Sequence, residues 1–264
     1  MGESRVLKGK TIIVTGAASG IGAATAALAV SHGAEVIAVD LNEPSRSLGR
    51  FFRADLSDRA SIERLVGELP SGAQGLVNCA GLPPTRPESL VLKVNLVGLK
   101  HLTLRLVHKL ADGASIVNIA SLAGLGWNSP EAKAAIVAGS DLDFDGVEAF
   151  CAQYAIKGAR SYFFSKEALV VWTMQNRWTW RDRGIRINAV SPGPVETPIL
   201  KDFLQTLGAR AEEDMKIMDR PGRPEDIAPV VAFLLSDASA WIRGANLPTD
   251  GGMYSKLLCD MHGF

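Results

Sequence analysis

Two periods of apolar residues alternate along this chain of 264 residues. Short runs such as Thr11-Ile12-Ile13-Val14-Thr15 are β-branched and apolar at nearly every position, the pattern of a strand covered on both faces. Such runs predict strands near residues 11–15, 35–40, 50–54, 75–80, 115–120, 186–191 and 245–249, with helical patterns between them. Strand–helix alternation to the end of the chain implies an α/β fold: a Rossmann-type, doubly wound parallel sheet of about seven strands with helices on both faces. Right-handed crossovers then bring the strand C-termini, and with them Gly16, Asp40, Asn78, Ser121 and Pro192, to one ligand-binding edge. No internal repeat or low-complexity linker interrupts the pattern, so residues 1–264 read as a single domain.

Candidate chemistry gathers at two places. The first strand runs into Gly16, Ser19, Gly20, Ile21 and Gly22, and then into an Ala-rich helical segment. Backbone N–H groups at such a helix N-terminus bind a pyrophosphate, and glycines permit its close approach. The spacing 16, 20, 22 differs from the G-x-G-x-x-G arrangement of many dinucleotide sites. Farther on, Tyr162 and Lys166 stand four apart in a helical segment, so both side chains face one cleft. A cation beside a phenol favours the phenolate, and the expectation is a Tyr162 pKa lowered toward the operating pH of a general base.

Asp40 ends the second strand, where a carboxylate accepts hydrogen bonds from the adenosine ribose. A 2′-phosphate there meets like charge. Neither Ser19 nor Leu41 supplies a basic side chain, although Arg46 and Arg50 are near in sequence, so NAD is expected over NADP.

Thr15-Gly-x-x-x-Gly20-x-Gly22 with Tyr162-x-x-x-Lys166 resembles the short-chain dehydrogenase/reductase family, whose further motifs follow in order. Asn78-Cys79-Ala80-Gly81 is similar to the family's Asn-Asn-Ala-Gly strand end, with Cys79 as a departure. Asn95, Ser121, Pro192-Gly193-Pro194-Val195-Glu196-Thr197 and Thr249-Asp250-Gly251-Gly252 match the rest, so the resemblance spans nearly the whole chain. It implies a catalytic set of Ser121, Tyr162, Lys166 and Asn95. Tyr162 takes the hydroxyl proton, Ser121 hydrogen-bonds the substrate oxygen, Lys166 holds the nicotinamide ribose, and Asn95 anchors a water relay. It further implies NAD contacts from Gly16, Ser19, Gly20, Ile21, Gly22, Asp40, Asp55, Leu56, Asn78, Ala80, Gly81, Tyr162, Lys166, Pro192, Gly193, Val195 and Thr197. For Asp55 a second role stays open, as neighbour of a helix cap at Ser57 or Asp58.

The composition narrows the partners. Twenty-eight basic and twenty-eight acidic side chains cancel, so nothing steers the chain to nucleic acid or an anionic membrane. No apolar run reaches membrane-spanning length. Met1–Val6 show no signal h-region, and Val6 stands where a myristoylation signal needs Ser or Thr. Three cysteines, Cys79, Cys151 and Cys259, lack metal-ligand spacing; reduced thiols and a cytoplasmic location are expected. Asp141, Asp143, Asp145 and Gly146 imitate the start of a calcium loop, but Ala152 occupies the position that requires a bidentate Glu, so no metal is expected.

Ser121 and Tyr162 are 41 positions apart, farther than is usual in the family, so residues 122–161 form an insertion beside the active site. Segments 130–137 and 146–154 read as its two short helices, with Asp145 and Glu148 as N-cap and N3. Its sequence is similar to the branch acting on coniferyl-type aromatic alcohols and hydroxysteroids. Residues 194–220 read as a substrate lid, with Ile199, Leu200, Phe203, Leu204 and Leu207 as an apolar stripe. The implied reaction is hydride transfer between nicotinamide and a hydrophobic alcohol or its ketone or aldehyde. An NADPH-dependent carbonyl or oxoacyl reductase and a non-catalytic dinucleotide sensor are the alternatives. The insertion should obstruct the four-helix contact common in the family, cover Trp172, Trp178 and Trp180 with Phe150 and Tyr154, and leave a homodimer, unless it is a mobile flap.

Overall fold

A computed structural model describes residues 6–207 and 218–264. Residues 1–5 of the N-terminal segment and residues 208–217 of the expected lid lie outside the described residues, as does the side chain of Leu207. Seven strands form one sheet, β1 (Thr11–Thr15), β2 (Glu35–Asp40), β3 (Arg50–Arg53), β4 (Ala73–Asn78), β5 (Leu110–Ile119), β6 (Arg186–Pro192) and β7 (Asn246–Thr249). Their order is β3-β2-β1-β4-β5-β6-β7 and every pairing is parallel, so the expected doubly wound sheet is the observed one.

Neighbouring residues of each strand serve opposite cores. Ile12 and Val14 face a cluster shared with α1 (Gly20–Ser31) and the helix Pro224–Leu235. Ile13 faces the other cluster, shared with α2 (Arg59–Glu68), α4 (Leu99–Leu106) and α7 (Ala159–Gln175). This is why the strands read as continuous apolar runs: both faces exclude water, and each buried Ile or Leu contributes about 2 kcal/mol. The chain runs outward from β1 to β3 and then crosses to β4 on the far side of β1, which places the switch point, and the crevice it opens, between the ends of β1 and β4.

The limits of β4 and β5 depart most from the sequence expectation. β4 ends at Asn78 rather than 80, because the Thr15 hydroxyl oxygen accepts hydrogen bonds from the Cys79 (3.0 Å) and Ala80 (3.1 Å) amides and draws them off the ladder. β5 starts at Leu110 rather than 115, through a register irregularity opposite Ala73–Gly75.

The insertion holds a 3₁₀ turn (Leu122–Asn128), α5 (Pro130–Ala138) and α6 (Val147–Gln153). Ser129 caps α5 by accepting from the Ala132 amide. The expected Asp145–Glu148 cap of α6 is not formed. Gly146 takes the cap position without a side-chain bond, and Asp143 accepts from the Asp145 and Gly146 amides instead. Asp145 pairs with Arg59 at 3.0 Å and Glu148 with Lys93 at 2.8 Å, so both carboxylates tether the insertion to the body. Phe150 packs on Tyr154 and Phe164, with centroids 4.7 and 5.4 Å away. Trp172 is buried in the same core and Trp180 packs partly against it, but Trp178 is 56% exposed under the Arg177 guanidinium. Cover by Phe150 and Tyr154 therefore fails for Trp178, which points away from the core.

A buried polar chain crosses the sheet between α4 and α7. The Asn78 amide donates to Thr103 Oγ1 and Asn118 Oδ1, each at 2.9 Å; Asn118 donates to Thr173 Oγ1, also at 2.9 Å. Thr103 and Thr173 pass their protons to the Leu99 and Leu169 carbonyls. Removing one member strands its partners out of reach of water, at about 1–3 kcal/mol each. Asn118→Ala should therefore destabilise the fold by ~2 kcal/mol or more, read as a lower urea midpoint at constant m-value. A wild-type midpoint would show that the chain contributes nothing to stability.

Candidate active site

The phosphate turn is shaped for a close visitor. Gly16 has φ +69°, and a Cβ there would lie 2.7 Å from the Ala80 amide nitrogen. A Cβ on Gly22 would collide with the Gly16 carbonyl, so α1 can start this close to β1 only with glycine at that position. α1 has no acidic residue in its first turn, leaving the positive end of its dipole unopposed. Asp40 accepts from the Ala18 (3.0 Å) and Asn42 (2.9 Å) amides, which fixes its carboxylate beside the turn. These features fit a dinucleotide: a backbone cradle for the pyrophosphate and a carboxylate where a ribose would lie.

A cleft of about 940 Å³ runs along this edge of the sheet. Gly16, Ser19, Gly20, Ile21, Asp40, Asp55, Leu56, Ala80 and Gly81 line one part of it. Ser121, Tyr162, Lys166, Pro192, Gly193, Val195 and Thr197 line the rest. Asp55 accepts from the Ser57 amide and hydroxyl, while Asp58 caps α2, so the cap and the cleft-lining residue are different carboxylates.

Three expected residues do not line the cleft. Gly22 packs the turn, and Asn78 spends its amide on the buried chain within the sheet. Asn95 lies in a π-helical turn, Lys93–Gly98, between α3 (Glu88–Leu92) and α4. Its Oδ1 accepts from the Leu82 amide at 2.7 Å and its Nδ2 donates to the Leu82 carbonyl at 3.0 Å. Asn95 is fully buried, and its amide shapes the chain after β4. Sequence spacing could not reveal this, because the partner is backbone from another segment.

At the centre, Ser121, whose Oγ accepts from the Ala123 amide, is the polar side chain that faces the Tyr162 hydroxyl. Lys166 Nζ lies 5.5 Å from the Tyr162 ring centroid and donates to the Ile119 carbonyl at 2.8 Å. The direction of the Tyr162 shift is opposite to expectation. Burial pushes its pKa up to about 12, and the Ser121 hydroxyl only partly opposes this. Burial likewise pulls Lys166 down to about 8. Both groups are driven toward neutral forms, because desolvation outweighs the attraction of a lysine engaged elsewhere. The neighbouring Cys79 thiol is also desolvated, and its pKa rises to about 12.

Of the apolar wall, sequence reasoning named the α8 stripe and missed the rest. Ile199, Leu200, Phe203 and Leu204 of α8 (Pro198–Leu207) line the cleft, and the Phe203 ring meets the edge of Tyr162 at 4.7 Å and 82°. Leu82, Leu90, Val94 and Leu125 also contribute. Met253 and Leu257 come from the C-terminal helix Met253–His262, aimed by Asp250, which accepts from the Gly252 and Tyr254 amides. Their four-residue spacing was the available signal. Among the described residues no group of His, Cys, Asp and Glu is placed to hold a metal ion, and no helix is long and apolar enough to cross a membrane.

Comparison with known proteins finds relatives along nearly the whole chain. A family profile described as short chain dehydrogenase matches residues 10–133, and one described as enoyl-(acyl carrier protein) reductase matches residues 146–254. The chain is 41% identical to a coniferyl-alcohol dehydrogenase of Pseudomonas sp. over 94% of its length and 98% of the relative's. It is 29% identical to a 3-alpha-hydroxysteroid dehydrogenase/carbonyl reductase of Comamonas testosteroni, over 92% and 95% of the two chains. Among solved structures, the 3-alpha-hydroxysteroid dehydrogenase of Pseudomonas sp. B-0831 complexed with NADH superposes with a TM-score of 0.82 at 29% identity, covering 94% and 98%.

Proposed function

The chain belongs to the short-chain dehydrogenase/reductase family, and we propose that it is an NAD-dependent oxidoreductase acting on the CH–OH group of a hydrophobic alcohol, coniferyl-type or hydroxysteroid, or on the matching carbonyl. The observation that carries this reading is the joining, in one cleft, of the Ser121–Tyr162–Lys166 cluster, the Asp40 carboxylate and the apolar wall from α8 and the C-terminal helix. The names of the relatives support the alcohol class.

In this reading, bound NAD supplies the hydride acceptor and a positive charge near the reacting carbon. Tyr162 accepts the hydroxyl proton of the alcohol, while the Ser121 hydroxyl donates to the substrate oxygen as negative charge develops there. Lys166, with one proton on the Ile119 carbonyl, has others to offer the nicotinamide ribose. Asn95 is a positioning residue, holding Leu82 and the strand-end turn. The helix α8 acts as the substrate lid. Its Phe203 shields the phenol from water, and its Asp202 accepts from Thr85 of the facing loop at 2.7 Å.

NAD rather than NADP follows from charge. Of the basic residues, the cleft is lined by Lys166 and Arg86 alone among the described residues. Arg50 lies over the Phe52 ring, and Arg53 donates to the Leu41 carbonyl. Among the described residues no basic side chain lines the cleft beside Asp40, which supports NAD.

For assembly we assign a homodimer. The insertion lies against α3 and α7, and Lys100 of α4 reaches the Ser140 carbonyl while Phe144 meets His101, so it covers the helices of the usual four-helix contact. Trp241, 95% exposed just before the edge strand β7, supports contact there. A cytoplasmic location is supported by three free thiols, with burial raising Cys151 to about 11.

Tyr162→Phe should abolish turnover and leave NADH binding nearly intact in a fluorescence titration; retention of most of kcat removes Tyr162 from proton transfer. Since oxidation needs the phenolate that burial opposes, wild-type kcat/KM for oxidation should rise with pH while that for carbonyl reduction falls. Asp40→Ala should weaken NAD binding about tenfold and relax discrimination against NADP, and an unchanged preference ratio would mean another residue sets it. In sedimentation the wild type should run as a dimer, and a stable tetramer would overturn the assembly.

A further inference from the structure

Five charged side chains line the cleft, and four of them have defined partners. Asp40 is held by the Ala18 and Asn42 amides, and Asp55 by Ser57. Glu167 forms a two-pronged pair with Arg160 at 2.8 and 2.7 Å, and Lys166 donates to Ile119. Arg86 is the fifth. Among the described residues its guanidinium has no hydrogen bond and no ion pair, although it borders a wall that is otherwise apolar.

The chain around Arg86 is stiff. Pro83 and Pro84 are buried, the Arg86 amide closes a turn onto the Pro83 carbonyl (3.3 Å), and Pro87 is the N-cap of α3. The same loop is fastened to α8, since Thr85 donates to Asp202. Phe203, the next residue of α8, touches the Tyr162 ring. Arg86 thus belongs to the substrate part of the cleft rather than to the ribose end at Asp40. The nearest carboxylate on α8, Asp202, is engaged by Thr85 and forms no ion pair with Arg86.

We propose that Arg86 binds a carboxylate on the substrate at the end away from the reacting carbinol. The substrates are then amphipathic hydroxy acids, with an alcohol at Tyr162, an apolar body along α8, Leu90 and Leu125, and an anionic terminus at Arg86. This deepens the alcohol-oxidation reading and rests on it. Arg suits the task because its planar fork matches a carboxylate and stays charged at any working pH. Because Arg86 is exposed, water screens the pair, and the discrimination is about three- to tenfold rather than absolute. As the contact is remote from the reacting carbon and equal in ground and transition states, it acts on KM and leaves kcat alone.

The test uses three alcohols of graded length, each as free carboxylate and as neutral methyl ester: 4-hydroxymethylbenzoate, 4-carboxycinnamyl alcohol and a 3α-hydroxysteroid carboxylate. Turnover with NAD is measured alongside calorimetric Kd in the presence of NADH, for the wild type, Arg86→Gln and Arg86→Lys. At least one pair should favour the carboxylate three- to tenfold in KM and Kd. The preference should vanish in Arg86→Gln, survive in part in Arg86→Lys, and weaken with added salt, while NADH affinity and ester kcat stay unchanged. Equal or better binding of every ester, or a carboxylate preference indifferent to Arg86→Gln, overturns the proposal even if all the alcohols are oxidised. Absence of turnover with every alcohol overturns the alcohol reading instead, and the calorimetric preference then still decides the role of Arg86.

Discussion

The Asn78–Asn118 hydrogen-bonded chain is the constraint on which the site's geometry rests. It runs from Thr103 on α4 through two adjacent strands to Thr173 on α7, and all four side chains are essentially inaccessible. Apolar packing alone would let a helix slide along a sheet at small cost, because the apolar area uncovered at one end is covered again at the other. A directional polar chain does not slide, since a shift strands buried donors. Thr173 lies two turns beyond Lys166 on α7, so the chain sets the height of Lys166 and Tyr162 over Ser121 at the end of β5. Thr103 does the same for the π-helical turn that carries Asn95.

The chemistry at that position is governed by desolvation. Tyr162 and Lys166 are both buried, and loss of water drives the phenol up to about 12 and the ammonium down to about 8, each toward its neutral form. Phe203 packs on the phenol ring, and the Ile119 carbonyl, which accepts from the ammonium, holds Lys166 in place. A site built this way favours the neutral phenol over the phenolate.

The insertion shows how a local rule gives way to a tertiary one. Asp145 and Glu148 have the spacing of a helix cap, worth about 1 kcal/mol. Arg59 and Lys93 hold them from other elements, and α6 starts at Gly146 with no side-chain cap. The same ion pairs, with Phe144 on His101 and Lys100 on Ser140, press the insertion onto α4. Residues 122–161 are thus an integral part of the helical layer.

Periodicity and composition were enough to read the parallel sheet, the order of its elements, the glycine turn and the Tyr162–Lys166 pair. Each of these depends on neighbours within one strand, one turn or one helix: Ile12, Ile13 and Val14 declare a two-faced strand by themselves, and a four-residue spacing puts two side chains on one helical face wherever that helix lies. The direction of the Tyr162 shift, the internal hydrogen bonds of Asn78 and Asn95, and the lack of a partner for Arg86 among the described residues were decided only by the tertiary structure. They depend on dielectric, on contacts from Phe203, Thr103 and Leu82 on separate elements, and on the pairing of Asp202 of α8 with Thr85 rather than with Arg86. Sequence reports which groups can ionise or hydrogen-bond; the fold decides how much water remains around them and which groups take its place.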